Sequence, residues 1–562
     1  MNLLLRKDLY FMGGLLVLAA VLFGTNLGGF GLLDPDEPFY SLTAKEMVER
    51  GDMSTPVIFG SPQFEKPIFF YWVMYVCFTL FGISEWSARL GPCLGGILLV
   101  LVTYLWGRVL FRRSITAFVS AAVLATAGKC IVLSRIVLTD MYLALFVTAA
   151  LYVFSLGYFK PRDRQAAWHL LFVFMALGLL TKGLLGILLP LMAIFIYLAA
   201  NKELALFKKF PWISGGILFA VIGFPWYAQM TREHGWGFLS HFFIHENIRR
   251  FFVAEHKSFD RYYFYPGGVF LGFFPWSFAV PFALAYGFRQ AIRTAGLYRR
   301  EFLLLISCVF SFFVFFMMAK SKLLSYIFPV YPMIALIVGG WAAVFGRALR
   351  PKTRNLFLFW ATAAFVLGAL PLGMAVGVSI YGAQNHLGIE WAVILFSLIV
   401  VPLSWAALIC LWRRRARPAF FLIILASVVF TLIAFVLLLP KADSFFASDG
   451  YVKTYEKDAQ GKAPRVFIAG KLLVRGVSFY SGNKKMAVLT DNPKGTFYTK
   501  HALPMISSSQ DLLNLGLNNF PVYGFLRAKE YRFLKTIVVD PIQVTILEER
   551  PQRVIVRLDW AQ

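Results

Sequence analysis

Residues 9–40 read LYFMGGLLVLAAVLFGTNLGGFGLLDPDEPFY: an apolar run from Leu9 to about Phe30, then Asp34-Pro-Asp-Glu-Pro-Phe-Tyr40. About 20 apolar residues suffice for a helix to cross a bilayer, so the run predicts a membrane-spanning helix. Arg6 and Lys7 precede it. Its length exceeds a signal-peptide core, and no small-x-small cleavage pattern stands before the acidic motif, so the helix is expected to be retained. Carboxylates crowded at a membrane boundary are costly to place there and are read first as a functional site. Phe64-Glu65-Lys66-Pro67 adds charges a little further on.

The rest of the chain has the same character. Of its 562 residues 59% are hydrophobic and 15% charged, with a mean hydropathy of +0.68. That composition describes a polytopic membrane protein and excludes an ordinary soluble domain. A net charge of +26 raises nucleic acid as a partner, but no basic low-complexity tail or stacking platform accompanies it. The five cysteines lie in apolar stretches without ligand spacing and read as small buried hydrophobes.

Further spans are expected near 87–107, 115–134, 138–159, 211–229, 266–288, 301–319, 323–346, 355–380, 390–412 and 418–440. Trp168 to Ala200 is too long for one helix, and Thr181-Lys182-Gly183 divides it into a hairpin. Residues 67–82 are short for a crossing, and charge decides their reading. With 67–82 as a juxtamembrane helix there are about 13 spans. Alternate loops then carry the cations, among them Arg108, Arg112 and Arg113, Lys202, Lys208 and Lys209, and Arg413, Arg414, Arg415 and Arg417. All fall on the side of Arg6 and Lys7, which the positive-inside rule makes cytoplasmic. The opposite face receives Asp34, Asp36, Glu37, Glu65, Lys66, Arg135, Asp140, Lys182, the loops 32–86 and 230–265, and the junction Ala319–Tyr326. The membrane part is expected to occupy 1–440. After Pro440 the chain turns polar, with strand-like runs at Arg465–Ala469, Met486–Leu489, Thr536–Val539, Val544–Leu547 and Arg553–Leu558 and a helix over Ser507–Leu515. Residues 441–562 therefore predict a small α/β domain on the face of the acidic motif.

Asp36 and Glu37 open a helical stretch from Phe39 to Arg50. Asp34 or Asp36 capping that helix is the plain alternative; the functional one is a carboxylate at the mouth of a cavity, taking or orienting a proton. Lys66 before Pro67 reads either as a snorkelling lysine or as a grip on a lipid-borne phosphate. His241 and His245 stand four apart and share a helix face; with Glu65 they form a candidate divalent-metal site, although most such pairs bind nothing and there is no HExxH. Arg249 and Arg250 suit headgroup anchoring or a phosphate clamp. Lys320 and Lys322 lie on the wrong face for a topology signal and lead into Leu-Leu-Ser-Tyr326. Either they are ordinary interfacial cations, or they complete a basic ring with Lys66, Arg249 and Arg250. No P-loop, dinucleotide fingerprint or nucleophile elbow is present in a plausible setting.

Taken together, Asp-Glu after the first span, Phe64-Glu-Lys-Pro67 with Tyr71-Trp72, Ala88-Arg89-Leu90, Leu138-Thr-Asp140, Leu180-Thr-Lys182-Gly183 and Lys322-Leu-Leu-Ser-Tyr326 resemble the polyprenyl-phosphate-dependent GT-C glycosyltransferases over about residues 5–440. The nearest branch looks like the bacterial enzymes that transfer 4-amino-4-deoxy-L-arabinose to lipid A; protein O-mannosyltransferases are more distant. The resemblance implies a GT-C fold and inverting transfer from an undecaprenyl-phosphate sugar to lipid A or another envelope acceptor, at the periplasmic face of the inner membrane, with no cofactor required beyond a candidate metal. It implies Asp36 as the acidic catalytic residue with Glu37 beside it. Lys66 then contacts the donor phosphate, Glu65 precedes it, and Lys322, Tyr326 and the external arginines complete the leaving-group pocket. A flippase or transporter is the competing class, but those proteins place ionisable groups near the bilayer midplane. A non-catalytic envelope assembly protein is the third.

Overall fold

The computed structural model describes residues 2–249, 252, 261–293, 298–344, 353–385, 387–460, 466–482, 485–492, 503–516, 519–550 and 552–561. Among these, eight helices are long and apolar enough to cross a membrane: Arg6–Gly24, Glu85–Phe111, Asp140–Phe159, Arg164–Lys182, Arg299–Met318, Phe357–Gln384, Glu390–Trp412 and Ala416–Asp443. Trp212–Gly223 and Pro225–His234, bent by 48° at Phe224-Pro225, make a ninth if taken as one. The other expected spans are helical but shorter or interrupted. Ser114–Ala125, Leu185–Ala200 and Phe328–Ala342 fall below span length. The stretch read as 266–288 is broken into Phe264–Gly272, Trp276–Phe278 and Val280–Ile292. Pro275 stands at that break, where a missing amide and a fixed ring disfavour a continuous helix. Phe69–Phe81 is 13 residues long, about 20 Å at helical rise against a hydrocarbon core of about 30 Å, and cannot cross.

The chain leaving the first span is held by two buried arginines. Helix ends leave carbonyls without partners, and inside a membrane each must be satisfied. Arg135 donates to the carbonyls of Leu22, at 2.9 Å, and Thr25. Arg89 donates to those of Leu27 and Phe30, at 2.8 Å each, and Gly31 at 2.7 Å. Their guanidinium planes cover Phe435 and Phe30, each 3.9 Å from the ring centre. The backbone that delivers Asp34–Glu37 is thereby fixed in place.

The C-terminal part contains a six-stranded sheet in the order Met505–Ile506, Met486–Leu489, Phe467–Gly470, Val522–Arg527, Arg553–Trp560 and Ile542–Arg550. The first four strands run parallel and the last two antiparallel. The strand read at Thr536–Val539 is instead the end of a helix, Ala528–Ile537. Tyr531, Leu534 and Ile537 are buried at a spacing of three, and that helical period outweighs the β-branched pair Val538-Val539. Val522–Arg527, a strand not expected from the sequence, carries Gly524 in its middle, where a Cβ would stand 2.7 Å from Val556 Cγ2.

The sheet part is joined to the first loop. Leu33 bridges Ala447, and the Asp34 amide donates to the Phe446 carbonyl at 2.8 Å. Arg553 pairs with Asp34 at 3.0 Å, and Ser448 donates to the same oxygen at 2.7 Å. Lys45 reaches the carbonyl of Phe479 at 2.7 Å.

Candidate active site

The acidic motif splits into three carboxylates with three environments. Asp34 is the docking group just described, and burial pushes its carboxyl up to about 7 against the opposing pull of Arg553 and Ser448. Glu37 is fully buried and its oxygens are fully used. Oε1 accepts from Arg89 Nε at 3.0 Å and the Val137 amide at 2.9 Å; Oε2 accepts from Arg89 at 2.6 Å and the Leu33 amide at 2.8 Å. Asp36, at the start of the helix Asp36–Arg50, is the one of the three that is exposed.

Exposure does not mean that Asp36 stands in bulk water. Desolvation raises its carboxyl above the usual range; Arg475 and Lys66 pull it down, and Asp140 and Glu37 push it up. Charges from several parts of the chain act on it or lie among its neighbours. Lys66 is half-buried and donates to the Glu65 carbonyl at 3.1 Å. Asp140 begins the helix Asp140–Phe159 and is paired with Lys182 at 2.6 Å. The Lys182 ammonium sits over the Tyr326 ring, 4.4 Å from its centre. Lys322 is nearly buried in the same junction as Tyr326. Arg475, from the helix Val474–Ser481 of the C-terminal part, also feels the charges of Glu65 and Asp36.

Lys182 reaches Asp140 because its helix ends in a tight hairpin. Gly178 and Gly186 meet across it so closely that a Cβ on Gly186 would lie 2.2 Å from the Gly178 carbonyl carbon. The second long loop packs on the first: Trp226 donates to the Ser54 carbonyl at 2.8 Å, Thr55 to Glu233 at 3.1 Å, and Phe64 meets the rings of His234 and Phe238, each at 5.2 Å. His241 lies half-buried in the π-helix Ser240–Arg249 that continues from it. The side chains of His245 and Arg249, and all of Arg250, lie outside the described residues. Among the described residues no three His, Cys, Asp or Glu side chains gather as a metal site.

Asp36, Lys66 and Tyr326 are expected here from the sequence; Asp140 and Lys182 are expected on this face and within the motifs of the resemblance, without an assigned role, and Arg475 is not expected at all. An exposed carboxylate among fixed cations at one end of a helical bundle can accept or steer a proton while neighbouring charges stabilise an anionic leaving group.

The chain is similar to several known proteins. The family described as dolichyl-phosphate-mannose-protein mannosyltransferase matches residues 9–238. An undecaprenyl phosphate-alpha-4-amino-4-deoxy-L-arabinose arabinosyl transferase of Pectobacterium carotovorum is 28% identical over 413 residues, 72% of this chain and 71% of that protein. An uncharacterized protein of Aquifex aeolicus is 29% identical over 361 residues, 64% of this chain and 68% of that one. The crystal structure of ArnT from Cupriavidus metallidurans bound to undecaprenyl phosphate superposes with a TM-score of 0.78, covering 97% of both chains at 22% identity. At that identity the likeness establishes a shared fold.

Proposed function

We infer that this chain, a polyprenyl-phosphate-dependent glycosyltransferase of the GT-C type, moves a sugar from an undecaprenyl-phosphate carrier to an envelope acceptor by inverting transfer. The preferred pairing is 4-amino-4-deoxy-L-arabinose with a lipid A-type acceptor, by analogy with the arabinosyl transferases it resembles. The observation that carries the reading is the exposed Asp36 carboxylate set among Lys66, the Lys182–Asp140 pair and Arg475.

In the proposed reaction an acceptor oxygen attacks the anomeric carbon from the face opposite the carrier. The bond from that carbon to the phosphate oxygen breaks, and undecaprenyl phosphate leaves with the electron pair. Lys66 neutralises the developing phosphate charge, with Lys322, Tyr326, Arg249 and Arg250 as further donors. Charges fixed before the reaction supply the largest part of such stabilisation. If the acceptor is a hydroxyl, Asp36 takes its proton; if it is a phosphate, the nucleophile is already ionised and Asp36 orients it. Glu37, with both oxygens engaged, positions Asp36 without meeting substrate. Glu65, His241 and His245 are the residues that would hold a divalent ion, and no step depends on one.

The basic loops favour an N-terminus in the cytoplasm, with the site and residues 441–562 in the periplasm and the spans in the inner membrane. A second reading keeps the chemistry and changes the substrates to another lipid-linked sugar with a protein or polysaccharide acceptor. The mannosyltransferase match over residues 9–238 favours it.

The test is purified protein incubated with a panel of undecaprenyl-phosphate sugars and lipid A, the products read by mass spectrometry. Donor-dependent transfer to lipid A is expected. No transfer from any donor overturns the function, and full turnover by a normally inserted Asp36→Asn variant overturns the role of Asp36.

A further inference from the structure

We propose that Arg475, supplied by the C-terminal sheet domain, is a positioning residue of the transfer site that fixes the Asp36 carboxylate and gives it a positive neighbour. The inference rests on the transfer reaction inferred above and extends it to a part of the chain that carries none of the membrane motifs.

The helix Val474–Ser481 follows the parallel strand Phe467–Gly470 and packs against the helix that Asp36 begins. Three contacts set its register. The Arg475 guanidinium lies over the Phe39 ring, 4.6 Å from its centre, and Phe39 is three residues from Asp36 on one helix face. Gly476 leaves no room for a side chain: a Cβ there would stand 2.3 Å from Asp34 Oδ1 and 2.9 Å from Ser448 Oγ. Four residues beyond Arg475, the Phe479 carbonyl accepts from Lys45, whose ammonium also lies 5.2 Å from the Phe479 ring centre.

Docking of the domain does not require a guanidinium at this point. Asp34–Arg553, Ser448 and Lys45 already join the two parts. Burying a cation is costly unless it meets opposite charge, and burial does pull the Arg475 guanidinium below its ordinary range, opposed by Glu65 and Asp36. The charges that act most on Asp36 are Arg475 from the C-terminal helix and Lys66 from the first loop, which lower it, and Asp140 from its transmembrane helix and the adjacent Glu37, which raise it. Arg475 is the first of the cations that draw Asp36 down.

The test compares wild-type, Arg475→Gln and Arg475→Lys proteins in transfer rate from pH 5 to 9, with a donor on which the wild type is active, alongside their melting temperatures. The glutamine variant is expected to lose about tenfold in kcat, with little change in donor KM. Its acidic limb moves up by about one pH unit, because Asp36 has lost a cation that favours its ionised form. The lysine variant restores the limb. Arg553→Gln, which loosens docking, lowers the melting temperature and leaves the limb in place. If the glutamine variant does not fold, Phe39→Leu replaces it, with a smaller shift in the same direction. An unmoved limb in the folded variant overturns the inference, as does a loss of activity that only follows stability. A wild type that transfers nothing defeats the transfer reading instead.

Discussion

Arg89 and Glu37 are both fully buried and 2.6 Å apart, yet exchanging both for apolar side chains should not rescue the loss of either one. Replacing both partners of a buried ion pair with well-packed hydrophobes is often neutral or stabilising, whereas removing one partner costs about 3–5 kcal/mol. Arg89→Met is expected in that range, because Glu37 is left buried with only two backbone amides to answer it. The pair differs from an isolated one in what else it holds. Arg89 takes the carbonyls of Leu27, Phe30 and Gly31, and Glu37 takes the amides of Leu33 and Val137. Arg89→Met with Glu37→Met would leave all of these backbone groups buried without partners. At about 1 kcal/mol each, the low end of the cost of an unsatisfied group, the double variant loses about 5 kcal/mol. That matches or exceeds the single variants. The assay is reversible unfolding in mixed SDS micelles followed by tryptophan fluorescence, run as a double-mutant cycle with transfer rates beside it. A double variant within about 1 kcal/mol of wild type would show that the backbone finds other partners and does not depend on the pair.

Lys182→Met leaves Asp140 buried and unpaired, and initial transfer rates should fall about 100-fold, with Lys182→Arg restoring only part because a planar fork does not replace an ammonium. Asp34 keeps its proton in the folded protein up to about 7, against an ordinary 3.8. The folded state therefore binds more protons in that window, and its contribution to stability declines as pH rises through it. Melting temperatures from pH 4 to 8 should show that slope, and Asp34→Asn should flatten it. Gly186→Ala pushes a methyl into Gly178, and a fall in melting temperature worth about 1–3 kcal/mol is expected; an unchanged melting temperature would mean that the hairpin opens freely.

The residues that could be read from sequence are those whose chemistry contrasts with their surroundings. Asp36 and Lys66 stand out because charge next to a greasy span is conspicuous, and the alternation of basic loops sorts the faces without any contact being known. Glu37 was read as a catalytic partner of Asp36 because adjacency along a chain says nothing about opposite sides of a helix. Its engagement by Arg89 depends on a span 52 residues away. A signal did exist: an arginine near the start of a transmembrane helix needs a buried acceptor. Arg475 carried no such signal. It lies in a polar segment where an arginine is ordinary, and only the packing of one short helix on another brings it to the site. The interrupted span near Pro275 and the helix ending at Ile537 reflect local preferences overridden by a proline and by a buried helical face.

Arg553 and Asp34, the pair that fastens the last strands to the first loop, are 519 residues apart. A ribosome adding about 5–20 residues per second needs on the order of half a minute to two minutes to cover that distance. During that interval the spans enter the bilayer one after another while Asp34 lacks its arginine partner. A message cut after the codon for Asp540 would give a protein with its whole membrane bundle and no Arg553 to seize Asp34. The ion pair between the sheet part and the first loop is thus among the last contacts that synthesis allows.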